Sequence, residues 1–146
     1  MPDLLVLIVE DDADIAALEA DIVTRSGGRA TRVADGAVAI GLLGEREPPA
    51  VDLILLDLDL PTLSGQAVLD WLTTDPAWTR TPVIVVSGSL DLLRETPQVV
   101  AVLAKPFSLD LLVEAIGQAR MARDAAGPGA ATLFDQSDPR ASPAEG

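Results

Sequence analysis

Five side chains that could handle phosphate or a metal ion directly follow short apolar runs of this sequence. Glu10 and Asp11 follow LLVLIV, Asp57 follows LILL, Ser87 follows VIVV, and Lys105 follows AVLA. Converging carboxylates repel one another unless a cation joins them, and Mg2+ prefers oxygen ligands together with phosphate oxygens. A carboxylate such as Asp57 can also attack phosphorus, and a metal ion, an ammonium group and a hydroxyl can share the charge of the product. The set therefore predicts phosphoryl chemistry, provided that the fold brings these residues together.

Lys105 is the single lysine of a chain that has nine arginines. Taken alone it would be a surface lysine, just as Ser87 alone would be a turn residue. A crowded crevice, however, suits a compact ammonium on a thin stem better than a planar guanidinium fork. Asp57 is harder to explain as a structural residue, because an unpaired carboxylate after four apolar residues would be costly. Asp12 or Asp14, in contrast, can simply cap a helix.

The elements that must position these residues can be predicted from the apolar runs, whose continuity is typical of parallel strands buried on both faces. We predict strands over residues 4–9, 30–33, 51–56, 83–86 and 99–103. Helical spacing lies between or after them, at Ile15, Leu18 and Ile22, at Val68, Leu69 and Leu72, and at Leu109, Leu112, Val113 and Ile116. The predicted fold class is α/β, a doubly wound five-stranded parallel sheet with helices on both faces. Ligands bind beyond the carboxyl ends of such strands, which is where the five side chains lie.

Length and composition predict one domain over residues 1–122 and a disordered tail over 123–146 that is rich in Ala, Gly, Pro, Ser and Asp. The net charge of −13, without a basic stripe, argues against nucleic acid or an anionic membrane as a partner. The chain has no histidine, so any phosphohistidine must belong to a partner. The N-terminal apolar run lacks a basic leader and is too short to span a membrane, which favours a cytoplasmic protein.

Four motifs, in this order and over about residues 3–120, resemble the receiver domain of two-component response regulators. VEDD resembles the acidic pair of that family and implies that Glu10 and Asp11 are the acids of a metal site, with Asp11 favoured over Glu10 as the direct ligand. LLDLDLPTLSG resembles the phosphoacceptor signature, with Asp57 as nucleophile and metal ligand and the backbone carbonyl of Asp59 as a further ligand. The resemblance also implies a flavodoxin-like fold of the CheY type with strand order 2-1-3-4-5.

The other two motifs supply the groups that contact the phosphoryl group. VIVVSGS resembles the motif that places Ser87, followed by Gly88, as the switch hydroxyl. AKPF places Lys105 as the cation and implies a cis peptide before Pro106. Together the four motifs imply a stand-alone response regulator that takes a phosphoryl group from a histidine kinase or a histidine phosphotransfer protein, using Mg2+. Its output would pass to a separate downstream protein, and its chemistry would be confined to its own phosphorylation and dephosphorylation.

Three features depart from the family pattern. The aromatic residue usually found three positions before the lysine is replaced by Val102, and Gly88 stands where alanine is commoner. Ser87 and Lys105 are 18 residues apart, about one helical turn fewer than is usual, and Pro97 lies between them. We therefore predict that the fourth helix, between Ser87 and Lys105, is short or irregular, and that this receiver signals through that irregular segment.

Two other functions fit part of the pattern. A phosphatase of the haloacid-dehalogenase type would use Asp57 as nucleophile and Asp59 as general acid and base, but that family has its extra acidic pair after the lysine rather than at positions 10 and 11. A receiver-like interaction module that never uses phosphate is favoured by the missing aromatic residue. The Asp59 side chain has two possible roles in a receiver: it either tunes dephosphorylation or simply faces solvent.

Overall fold

A computed structural model describes residues 3–126 as a parallel sheet covered by helices. The strands are β1 (Leu4–Val9), β2 (Gly28–Val33), β3 (Leu53–Leu56), β4 (Val83–Ser87) and β5 (Val99–Ala104). The helices are α1 (Ala13–Arg25), α2 (Gly36–Leu43), α3 (Gly65–Leu72) and α4 (Leu109–Ala126). The five predicted strands are thus present, and the three predicted helical stretches correspond to α1, α3 and α4.

The strands pair in the order β2-β1-β3-β4-β5, and every pair is parallel. Helices α1 and α4 cover one face, where Ile22 and Leu112 join an apolar cluster with Ile8. Helices α2 and α3 cover the other face, where Leu43 and Leu69 pack against the sheet. The predicted doubly wound α/β fold with strand order 2-1-3-4-5 is confirmed, and it gathers the carboxyl ends of the strands at one edge.

Helix α1 begins directly after the acidic pair because Asp12 caps it. The Asp12 carboxylate accepts hydrogen bonds from the backbone N–H groups of Asp14 and Ile15, at 2.9 and 3.1 Å. These N–H groups have no partner within the helix, so the cap stabilises its first turn. Of the two aspartates that could cap this helix, Asp12 is therefore the one that does so, and the chain turns immediately after Glu10 and Asp11.

The loop between β3 and α3 is held close to the end of β3 by Gly65. The Gly65 N–H donates to the carbonyl oxygen of Leu58 at 2.9 Å. A Cβ atom at position 65 would overlap the Asp57 carbonyl oxygen and lie 2.6 Å from the Leu58 Cα, so only glycine fits there. Ser64 caps the helix by accepting from the Ala67 N–H at 3.1 Å. The loop after Asp57 is thereby fixed in place.

Residues 88–98 join β4 to β5, and we call this segment the strap. Within the described part of the chain, the strap has turns at Asp91-Leu92 and Pro97-Gln98 but contains no helix. Pro97 lacks an N–H group and disfavours a helical conformation at Thr96, and the six residues from Leu90 to Glu95 are too few to nucleate a stable helix. The predicted irregularity between β4 and β5 is thus confirmed, and it extends to the complete absence of a helix from residues 88–98.

Some boundaries differ from those that we predict. Strand β3 begins at Leu53 rather than at residue 51, because the Asp52 side chain accepts from the Leu5 N–H at 2.9 Å in place of a ladder carbonyl. Helix α4 continues to Ala126, four residues past the predicted domain end at 122. Its last turn is held by Arg123, whose guanidinium lies 3.3 Å from an Asp52 carboxylate oxygen. The rest of the predicted tail, residues 127–146, lies outside the described residues.

Candidate functional site

Three carboxyl groups meet at the carboxyl edge of the sheet. Glu10 and Asp11 follow β1, Asp57 follows the neighbouring strand β3, and each offers an oxygen within 4.8 Å of the others. Glu10 and Asp57 are buried, whereas Asp11 is exposed. Hard oxygen ligands at this spacing are the donor set that a divalent cation such as Mg2+ prefers. The structure thus brings together the acids that the sequence predicts.

Lys105 joins two of these acids. Its ammonium nitrogen lies 2.6 Å from Glu10 Oε1 and 3.0 Å from Asp57 Oδ2, and only 17% of its side chain is exposed. Burial alone would lower the pKa of Lys105, but the hydrogen bonds to Glu10 and Asp57 outweigh this effect and raise it. The lysine therefore stays charged and neutralises part of the acidic cluster. The peptide between Lys105 and Pro106 is cis.

Glu10 has a strongly perturbed environment. Burial raises its pKa from 4.5 to about 7, and the Asp57 carboxylate adds to this rise. The Lys105 ammonium and the Asp12 N–H, which donates to Glu10 Oε2 at 3.2 Å, act in the opposite direction. One lysine is thus insufficient to compensate for two buried carboxyl groups. A divalent cation bound at the same oxygens would supply the missing positive charge.

The Asp57 carboxylate is oriented through both of its oxygens. Oδ1 accepts from the Asp59 N–H at 3.0 Å, and Oδ2 accepts from the Lys105 ammonium at 3.0 Å. Only 4% of the residue is exposed, so these two contacts replace water as its hydrogen-bond partners. A carboxylate that is held in one orientation and next to a cation suits nucleophilic attack on phosphorus.

The Ser87 hydroxyl lies beside this group but has other partners. Ser87 is fully buried, its Oγ donates to Asp59 Oδ2 at 3.1 Å, and it accepts from the Ser89 N–H at 3.2 Å. Because the two hydrogen bonds use its donor and one acceptor site, the hydroxyl must leave Asp59 before it can donate to a phosphoryl oxygen. The Asp59 side chain therefore contacts the predicted switch hydroxyl.

Two of the three departures from the family pattern are single residues, Gly88 and Val102. A Cβ atom added at Gly88 would meet no atom of the described residues within 4 Å, so that part of the chain does not require glycine there. Val102 is half-buried in β5 and packs against the apolar cluster beneath α2 and α3. Its short side chain fills this position without a ring that could turn inward.

One buried acid was missed by the sequence argument. Glu19 lies on the buried face of α1 with Ala16 and Ile22, is 2% exposed, and its Oε1 has no hydrogen-bond partner among the described residues. Burial raises its pKa to about 8, with a further rise from the nearby Glu10 and a smaller opposing effect of Lys105. A signal was present, because Glu19 has helical spacing from Ile15 and Ile22 and so falls on the apolar stripe of α1.

Comparisons with known proteins agree with this geometry. The family model described as response regulator receiver domain matches residues 6–117. The chain is similar to the polar-differentiation response regulator DivK of Brucella anthropi, with 34% identity over 76% of this chain and 91% of DivK. It is also similar to protein Rrf1 of Nitratidesulfovibrio vulgaris, with 30% identity over 78% of this chain and 80% of Rrf1.

The chain also has the same fold as a protein of known structure. The crystal structure of a sensor protein from Polaromonas sp. JS666 superposes with a TM-score of 0.73 at 27% identity, covering 84% of this chain and 99% of that one. Among residues 3–126, no helix combines the length and the hydrophobicity that crossing a membrane requires.

Proposed function

The chain belongs to the response regulator receiver family, and we propose that Asp57 accepts a phosphoryl group from a phosphohistidine of a partner protein. The observation that carries this proposal is the position of Lys105, whose ammonium lies within 3.0 Å of oxygens on both Glu10 and Asp57. A purely structural site would not need two buried carboxyl groups, an exposed third one and a single cation. The arrangement suits a carboxylate that gains negative charge during its chemistry.

The proposed transfer exchanges one bond to phosphorus for another. A carboxylate oxygen of Asp57 attacks the phosphorus atom while the P–N bond of the partner's phosphohistidine breaks. The electron pair of that bond returns to the imidazole nitrogen, which then takes up a proton. Dephosphorylation ends the signal: a water oxygen attacks phosphorus, the bond between phosphorus and the Asp57 oxygen breaks, and inorganic phosphate leaves. Lys105 neutralises the added charge without moving far, since it already contacts Asp57 Oδ2.

The acidic cluster fits Mg2+ as the cofactor. Glu10, Asp11 and Asp57 would hold the ion, with the Asp59 backbone carbonyl as a further ligand. When bound, Mg2+ neutralises phosphoryl oxygens during transfer. The donor set consists of hard oxygens, and the raised pKa of Glu10 indicates a site that lacks positive charge. Both observations favour the binding of a divalent cation at this cluster.

We further propose that the donor is a histidine kinase or a histidine phosphotransfer protein in the cytoplasm, and that a separate protein receives the signal. The chain has no histidine of its own to serve as donor. DivK supports a separate output, because the matched region makes up 91% of that response regulator and leaves little room for another domain.

Phosphoramidate tests the transfer because this small compound carries the same P–N bond as phosphohistidine. Incubation with phosphoramidate and Mg2+ should add about 80 Da, one phosphoryl group, to the intact mass. The adduct should disappear over time as the aspartyl phosphate hydrolyses. A chain that never gains mass with this donor would instead be an interaction module that works without phosphate. Sustained hydrolysis of a generic phosphate ester would indicate the haloacid-dehalogenase type of chemistry with Asp57 and Asp59.

A further inference from the structure

The strap is tied to α3 by a small hydrogen-bonded group that involves the Gln66 amide. Gln66 Oε1 accepts from the Arg94 N–H at 2.9 Å, and Gln66 Nε2 donates to the Arg94 carbonyl at 3.0 Å. The side-chain amide thus pairs with one residue's backbone much as a neighbouring strand would. Asp70 orients this amide by accepting from Gln66 Nε2 at 2.9 Å. We call Gln66, Asp70 and Arg94 the clamp.

The clamp depends on the Arg94 backbone more than on its side chain. The Arg94 guanidinium lies 2.7 Å from Asp70 Oδ2, but 69% of that side chain and 48% of that of Asp70 are exposed. Exposed ion pairs contribute little, whereas two backbone hydrogen bonds to a half-buried amide fix the strap in one register. Gln66 is therefore the residue on which the attachment depends.

Both ends of the strap are also held. At its start, the Ser89 N–H donates to the Ser87 hydroxyl, which in turn donates to Asp59. At its end, the buried Gln98 donates to the carbonyl oxygens of Trp78 and Thr81, at 2.7 and 2.9 Å. The segment of 11 residues is therefore held at Ser89, at Arg94 and at Gln98, and a displacement at Ser89 acts on the part of the strap that leads to Arg94.

There is room for such a displacement. A cavity of about 410 Å3 lies between the strap and α3, lined on its apolar side by Leu58, Ala67, Leu92 and Leu93. Asp59, whose N–H donates to Asp57, and Ser89 also line it. The strap can therefore shift toward α3 without first displacing a packed core.

We propose that Gln66 and Asp70 are positioning residues that deliver the phosphorylation signal to α3 through the strap. This inference rests on the proposed phosphorylation of Asp57. When the Ser87 hydroxyl leaves Asp59 for a phosphoryl oxygen, the Ser89 N–H that is bonded to it moves as well, and the strap passes this movement to Arg94. Because Gln66 holds the Arg94 backbone, α3 and the strap change together and form the surface that reports phosphorylation.

Hydrogen exchange on the intact protein tests this route, with Mg2+ and beryllium fluoride as the phosphoryl mimic. In the wild type, the mimic should change amide exchange around Asp57, in residues 88–98 and in α3, compared with Mg2+ alone. Gln66→Ala should keep the changes around Asp57 and in the strap but lose the change in α3. Arg94→Ala should keep all three changes, because it preserves the backbone that Gln66 binds.

Gln118→Ala is the matched control, since it makes the same truncation on an exposed position of α4. An α3 response that survives in Gln66→Ala would overturn the inference, because the signal would then reach α3 directly through the loop that ends at Gly65. A wild-type strap that does not respond would overturn it as well. If even the amides around Asp57 were unchanged in the wild type, the proposed phosphorylation itself would be contradicted, and the inference with it.

Discussion

Replacing Glu19 by glutamine should stabilise the protein, and the gain should grow as the pH rises. Glu19 is buried on α1, its Oε1 has no hydrogen-bond partner among residues 3–126, and its pKa is raised from 4.5 to about 8. Between these values the folded protein holds a proton that the unfolded chain releases, so the stability of the wild type falls with rising pH. Glutamine cannot ionise, and Glu19→Gln therefore lacks this loss.

The size of the effect follows from the proton that Glu19 retains. One proton difference changes the free energy of unfolding by about 1.4 kcal/mol for each pH unit. Between pH 5 and pH 7, nearly the whole interval lies inside the window from 4.5 to about 8. The difference in unfolding free energy between Glu19→Gln and the wild type should therefore increase by ~2.5 kcal/mol over this range. The slope that Glu10 adds is present in both proteins and cancels.

Urea denaturation at pH 5, 6 and 7 with EDTA measures this difference, with the fluorescence of the buried Trp78 as a probe. Glu114→Gln, on an exposed position of α4, controls for a change of net charge at the surface. Glu19→Leu should be more stable still, because it fills the same apolar site without a polar group. A difference between Glu19→Gln and the wild type that is the same at pH 5 and pH 7 would refute the reasoning, since Glu19 would then be ionised or solvated in the folded state.

Three further predictions concern the chemistry of the site. Lys105→Arg should change the free energy of unfolding by no more than about 1 kcal/mol but slow phosphorylation by a small donor about tenfold, because a planar guanidinium cannot make the same contacts with Glu10 and Asp57. The rate can be measured by stopped-flow or by mass spectrometry over time, and an unchanged rate would contradict the prediction. Asp59→Asn should raise the affinity for beryllium fluoride roughly fivefold, because it weakens the hydrogen bond that holds the Ser87 hydroxyl at position 59. Titration in the presence of Mg2+ measures this affinity, and weaker binding would show instead that the Asp59 carboxylate favours binding of beryllium fluoride. As the pH rises toward the Glu10 pKa of about 7, the affinity for Mg2+ should increase by up to about tenfold per pH unit and then level off, because a protonated Glu10 cannot serve as a ligand. Calorimetry that finds the same affinity at pH 6 and pH 8 would contradict this.

The sheet and the principal residues of the site could be predicted because both depend on local sequence. Continuous apolar runs predict buried parallel strands, and polar residues directly after them must lie at the carboxyl edge. The same reasoning predicts, before any contact is known, that Glu10, Asp11, Asp57 and Lys105 lie close together at this edge of the sheet. The resemblance to the family pattern adds the strap, since the short spacing between Ser87 and Lys105 and the presence of Pro97 predict a short or irregular helix there.

The contacts that distinguish this chain could not be predicted in the same way. The hydrogen bond from Ser87 to Asp59 joins residues 28 positions apart, and it depends on the register of β3 and β4 and on one rotamer at each residue. The pairing of Gln66 with Arg94 also spans 28 positions, and no local pattern marks it. Glu19 is different, because its place on the apolar stripe of α1 could have been noticed in the sequence.

The central claim is that Asp57 is the phosphoacceptor of a site that needs a divalent cation. Intact mass after incubation with acetyl phosphate tests it most directly, with the wild type and Asp57→Asn run side by side in Mg2+ and in EDTA. We predict a single adduct of about 80 Da for the wild type in Mg2+ only, and none for Asp57→Asn in either condition. An adduct of equal yield on Asp57→Asn, or one that forms equally well in EDTA, would contradict the claim.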